Sequence, residues 1–186
     1  GKRNVIVAIT DGGIDTKHPD LKDNLYINEK ELNGQTGVDD DGNGLIDDIY
    51  GFNFIHSNGK IYPDDVSHGT HVAGTVAARN NNGIGVGGIA GGDGTPNSGI
   101  RLMSAQIFGG KNENGNSTRA LIYSANNGAV ISQNSWGYRY EAQITTLPQS
   151  LKAAIDYFIK YAGCDNDGNQ LPNSPMKGGV VIFAAG

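Results

Sequence analysis

Only one cysteine, Cys164, occurs in the 186 residues, so no internal disulfide can form. The longest apolar runs, such as residues 180–185, fall far short of the roughly 20 residues needed to span a bilayer as a helix. Neither sign of charge dominates. Fourteen Lys and Arg against 19 Asp and Glu leave a net charge of −5. That balance gives no reason to expect nucleic acid or an anionic membrane as a partner, and it is compatible with cation binding. No signal peptide opens the chain: Gly1-Lys2-Arg3-Asn4 leads straight into a strand pattern, as would a secreted protein after processing. Repeats and low-complexity linkers are lacking too, so residues 1–186 read as a single domain.

What the chain has in excess is glycine, 29 residues, against a norm of roughly 7%. These glycines lie beside His, Asp and Asn, which suggests tight turns and backbone packed near a site. Between them run short apolar segments bounded by Gly, Asp or Asn, at 4–10, 51–54, 99–108, 129–134 and 179–185; each reads as a buried strand. Helical spacing occupies the intervals. Residues 69–79 and 117–126 are short helices. Residues 146–162 form the most amphipathic one, with Leu147, Leu151, Ala154, Ile155, Phe158 and Ile159 on one stripe and Gly163 as its stop. Alternating strands and helices predict an α/β fold, a doubly wound parallel sheet with helices on both faces. Residues 28–48 form a long polar insertion. The fifth strand is as apolar as a central one and is expected to need a neighbour on each side. The sheet is thus expected to be incomplete at its C-terminal end, with the rest of the same domain as a partner.

Two segments carry the chemistry. Val7-Ala8-Ile9-Thr10-Asp11-Gly12-Gly13 ends a buried strand in a carboxylate, followed by His18-Pro19-Asp20. Ser67-His68-Gly69-Thr70-His71-Val72-Ala73-Gly74 opens a helix with an imidazole among small residues. A carboxylate at the end of a buried strand is costly unless paired. An imidazole held at Nδ1 by such a carboxylate keeps Nε2 for general-base work near neutral pH. Taken alone, Asp11 could end a strand and His68 could cap a helix; together they point to the orienting half of a Ser-His-Asp system. The i, i+3 pair His68 and His71 lacks the acidic partner expected of a zinc helix.

Both segments resemble the Asp and His signatures of the subtilisin-like serine proteases, the subtilases. The resemblance makes Asp11 and His68 the triad Asp and His, and makes His71 a packing or supporting residue. Ile131-Ser132-Gln133-Asn134-Ser135-Trp136-Gly137 resembles the family segment that lines the first specificity pocket, implying that Ser135, Trp136 and Gly137 contact substrate. The glycine-rich loop at 108–115, with Asn114 and Gly115, resembles the edge that pairs with the other side of an extended peptide. Residues 180–186 resemble the strand that leads to the oxyanion-hole Asn. Neither that Asn nor a Gly-Thr-Ser nucleophile segment occurs among the 186 residues, so the chain by itself is expected to be inactive. A secreted or cell-envelope location follows from the resemblance. A non-catalytic, calcium-stabilised peptide-binding module is the alternative, and the open fifth strand is a template for association.

Calcium is the expected ion. Asp39, Asp41 and Asn43 stand at positions 1, 3 and 5 of an EF-hand-like pattern with Gly44 at 6. Leu45 follows to offer its carbonyl, Asp47 and Asp48 could close the shell, and Tyr50 occupies the place of the usual bidentate Glu. The resemblance implies a second site made of Asp20, Asn82 and the carbonyls of Ile84 and Val86. Residues 165–169 are a weaker acidic turn.

Overall fold

The computed structural model describes residues 1–110, 113–138 and 146–185. Lys111 and Asn112 of the expected peptide-pairing loop, and Gly186 after the fifth strand, lie outside the described residues. The elements run β1 (Ile6–Asp11), α1 (Glu29–Asn33), β2 (Gly51–Asn53), α2 (His68–Ala77), β3 (Arg101–Gln106), α3 (Ser117–Asn126), β4 (Ile131–Asn134), α4 (Gln149–Tyr161) and β5 (Val180–Phe183). The strands form one sheet in the order β2-β3-β1-β4-β5, and every pairing is parallel.

β1 explains the layering. Its residues alternate between two apolar clusters. Ile6 and Ala8 join Met103, Ala105, Leu121, Leu151 and Phe158 under α3 and α4. Val7 and Ile9 join Leu102, Ala73 and Ala77 under α2. A strand covered on both faces has no polar side to show, which is why the sequence reads as a continuous apolar run. From β1 the chain passes outward to β2, returns through β3, and crosses β1 to β4. The end of β1 therefore lies where the winding reverses, the usual place for a site in open parallel sheets.

Three features refine these expectations. The polar insertion at 28–48 contains the short helix α1, with Glu31 buried. The fifth strand is open, as expected of an apolar strand with one neighbour. Val180, Ile182 and Phe183 are 38–45% exposed, and β5 pairs with β4 alone among the described residues. The strands are also shorter than their apolar runs, because flanking turns consume the ends. Gly99, for example, has φ +87, and the chain straightens into β3 only at Arg101.

Core packing on the α4 side should be steep in its sequence dependence. Phe158 is fully buried, while its neighbour Ile159 is 50% exposed. Phe158→Ala is expected to lower the unfolding free energy by about 3–5 kcal/mol, and Ile159→Ala by less than about 1 kcal/mol, as read by paired urea titrations.

Candidate active site

Asp11 is the last residue of β1 and only 1% exposed. Its Oδ1 accepts two hydrogen bonds, from the Gly12 amide at 2.7 Å and from His68 Nδ1 at 2.7 Å. Its Oδ2 is buried without a partner among the described residues. His68 is the first residue of α2, and 48% of its side chain is exposed. The approach is close because Gly69 lacks a side chain: a Cβ there would stand 2.5 Å from the Gly13 carbonyl oxygen. The hydrogen bond to Asp11 raises the His68 pKa above its ordinary value. Partial burial opposes this, and the charges of Asp11 and then Asp64 add to it. The arrangement can orient an imidazole, fix its tautomer and stabilise its protonated form.

His71 is not packed against this couple. It is exposed on α2, in a groove shared with His18, Val66 and Ile89.

A cleft of about 630 Å³ lies between the 107–115 segment and the end of β4. Asn114, Gly115, Trp136 and Gly137 all line it, so four of the five expected substrate contacts come together there. Ser135 is not among the lining residues, and its Oγ accepts from Gln133 Nε2 at 3.1 Å. The loop edge is ordered by an antiparallel bridge between Phe108 and Asn114 and by the Gly115 amide donating to the Ile107 carbonyl at 2.6 Å. Trp136 stands edge-on between Phe108 and Phe183, with ring centroids 6.0 and 5.3 Å away, and its Nε1 is buried without a partner among the described residues. Glu113 also lines the cleft, and neither it nor the aromatic pair was legible beforehand.

The acidic loop brings a further carboxylate to two of the expected ligands. Among the described residues, Glu31, Asp39 and Asp41 place carboxylate oxygens within 4.8 Å of one another. Oxygens around one Ca²⁺ at roughly 2.4 Å lie no further apart than about this, so three hard donors fit that ion. Backbone amides, that of Gly44 foremost, hold the Asp39 carboxyl below its ordinary value. Asp47 instead accepts from the Gly37 amide at 3.0 and 3.1 Å. Asp48 is fully buried and accepts from Tyr123 Oη at 2.7 Å, Asn28 at 2.9 Å and Asn43 at 3.0 Å. Asn43 spends its amide nitrogen on Asp41 and Asp48, and its Oδ1 accepts from the Leu45 amide. Glu31 was missed because the signal is only an acidic turn of helix eight residues before the pattern starts.

The second expected site is brought together differently. Asp20, 2% exposed, accepts from Asn82 Nδ2 at 2.7 Å through Oδ1 and from the Val86 amide at 2.9 Å through Oδ2. Asn82 Oδ1 accepts from the Ile84 amide at 3.1 Å. In this arrangement Asp20 accepts from two donors of the 82–86 segment, and the loop is latched to it by hydrogen bonds. Residues 165–169 form a turn in which Asp165 accepts from the amides of Asp167 and Asn169.

Comparison with known proteins follows the same lines. A profile of the Subtilase family matches residues 2–186. Subtilisin-like protease 1 of Plasmodium berghei (strain Anka) is 34% identical over 90% of this chain, which spans 27% of that protein. The major intracellular serine protease of Bacillus subtilis (strain 168) is 32% identical over 99% of the chain, which spans 43% of it. The chain thus spans well under half the length of these curated relatives. Among solved structures, MycP1 with its N-terminal propeptide removed superposes with a TM-score of 0.56 at 20% identity, over 99% of this chain and 43% of that one, a likeness of fold. The matched profile spans both the Asp11 and the His68 segments: the chain belongs to the subtilase family.

Proposed function

We propose that this chain is the Asp- and His-bearing part of a serine endopeptidase domain that cleaves extended peptides by acyl transfer. The observation that carries the reading is the 2.7 Å contact between His68 Nδ1 and buried Asp11 Oδ1 at the end of the central strand. In the intact domain, His68 Nε2 takes the proton of a serine hydroxyl as that oxygen attacks the scissile carbonyl, then returns it to the leaving amine. Asp11 holds the tautomer and stabilises the imidazolium. The peptide lies in the cleft between the 107–115 edge and Trp136-Gly137, where a glycine-bearing loop edge suits strand addition. A purely peptide-binding module has use for that cleft but none for a buried carboxylate spent on an imidazole. The reading includes a secreted or cell-envelope location. Family membership alone does not imply one, since the Bacillus subtilis relative is named as intracellular. Among the described residues no helix is long and apolar enough to cross a membrane.

Calcium is part of the proposal, held by Glu31, Asp39 and Asp41, with a structural role remote from the proton transfers.

Four outcomes are expected. The 186-residue chain alone, with no Gly-Thr-Ser segment, should hydrolyse no peptide ester; turnover blocked by a serine-directed inhibitor would overturn this. In the intact peptidase, Asp11→Asn should lower kcat by about 10⁴, the scale of losing the correct tautomer. There kcat/KM should rise with pH through a midpoint above the ordinary imidazole value of about 6.5, because neutral His68 is the base and Asp11 raises its pKa. A midpoint below that value would count against the couple. Calcium at 100 times its Kd should stabilise the chain by about 2.7 kcal/mol in calorimetry. That gain should vanish with chelator and in Asp39→Asn, and a wild-type chain indifferent to calcium would sink the ion assignment.

A further inference from the structure

The helix that presents His68 has no cap of its own. Ser67, at its N-cap position, has a left-handed backbone with φ 54 and ψ 31, and its side chain makes no capping hydrogen bond. The missing acceptor comes from outside the helix: Asp64 Oδ1 accepts from the His68 amide at 2.8 Å. Asp64 is anchored at both ends of its own backbone. Its amide donates to the Gly12 carbonyl at 2.8 Å, and its carbonyl accepts from the Ser67 amide at 3.0 Å. Gly12, the residue after Asp11, makes room for it, since a Cβ on Gly12 would collide with the Asp64 carboxylate. One residue therefore ties the turn that follows Asp11 to the amide of His68.

We propose that Asp64 is a positioning residue for the Asp11–His68 couple: it caps α2 at His68, fixes that amide to the Gly12 turn, and supplies a second negative charge beside the imidazole. The inference rests on reading that couple as the general-base half of a peptidase. The charge has a specific task. His68 stands at the positive end of the α2 dipole, which disfavours an imidazolium. Asp64 offsets this from the helix terminus, while Asp11 acts from β1. Both carboxylates favour the protonated form of His68 against partial burial, and His71 lies one turn further along the same helix. A capping residue with no further role would be replaceable by any good acceptor. Here an uncharged acceptor should preserve the helix start and still alter the imidazole.

The test compares wild type, Asp64→Asn, Asp64→Ala and Asp11→Asn in the 186-residue chain by NMR. It reads the His68 ring titration and the exchange rate of the His68 amide. Asp64→Ala should lower the His68 midpoint and speed amide exchange about tenfold, the scale of losing a helix cap. Asp64→Asn should lower the midpoint while leaving exchange within about threefold, since Asn caps well. An unchanged midpoint in both variants, or unchanged exchange in Asp64→Ala, overturns the proposal. If Asp64→Ala does not fold, the midpoint of Asp64→Asn decides it. Asp11→Asn reports on the underlying reading separately. A wild-type midpoint in that variant removes the couple itself, whatever the Asp64 variants show.

Discussion

A carboxylate buried to 1% exposure at the end of a central strand constrains everything around it. An ionised group there is costly by several kcal/mol unless hydrogen bonds replace the lost water. Asp11 obtains two, both at Oδ1, from the Gly12 amide and from His68. The second requires the start of α2 to reach the turn after β1, and the absence of a side chain on Gly69 permits that approach. Helix position, glycine placement and the left-handed Ser67 are consequences of bringing one imidazole to one oxygen. Because Oδ2 has no partner among the described residues, the His68 bond carries more of the compensation than it would at a fully satisfied carboxylate.

The same contact sets stability and chemistry against each other. The His68 pKa is raised in the folded chain, chiefly by Asp11. Its protonated form therefore contributes to stability below the unfolded value of about 6.5, and that contribution is lost as pH rises through the folded value. General-base chemistry needs the neutral ring, which becomes populated over that same interval. The stabilisation is modest because nearly half the side chain is in contact with solvent, which screens it. The couple is thus better suited to poising a base than to holding the fold together. The two apolar clusters on either side of β1 hold the fold.

Local patterns in the sequence carry most of this. β1 was legible because a doubly covered strand has no polar alternation. The couple was legible because Asp11 and His68 sit in segments whose small residues have no other evident purpose. What was hidden depends on contacts distant in sequence or on the direction in which a side chain turns. Asp47 and Asp48 satisfy the spacing of a ligand loop, but Asp47 has φ 55 and turns to Gly37, while Asp48 is drawn inward by Tyr123, 75 residues away. Glu31 joins Asp39 and Asp41 only because α1 folds back on the loop. Asp64 caps a helix from four positions upstream, outside the usual capping frame. Ser135 lies just past the end of β4, and its Oγ turns to Gln133 Nε2 instead of the cleft, a side-chain direction that spacing does not specify.

Asp48 also shows how the acidic loop is tied to the rest of the chain. Burial raises its pKa, while hydrogen bonds from Tyr123, Asn43 and Asn28 favour the ionised form. Tyr123, itself buried, has its pKa raised by that burial and by the Asp48 charge, so the shared proton stays on the phenol. The Tyr123 ring packs edge-on against Phe54 at 5.5 Å, and Phe54 packs on Phe52 of β2 at 5.2 Å. Tyr123 belongs to α3, whose first residue, Ser117, borders the peptide cleft. Asn28 meanwhile bridges Asp41 and Asp48. The carboxylates of the loop are thus joined by hydrogen bonds to a rigid helix that ends at the cleft. Asp48, Asn28 and Tyr123 are the buried part of this network, and their mutual hydrogen bonds leave them few alternative arrangements.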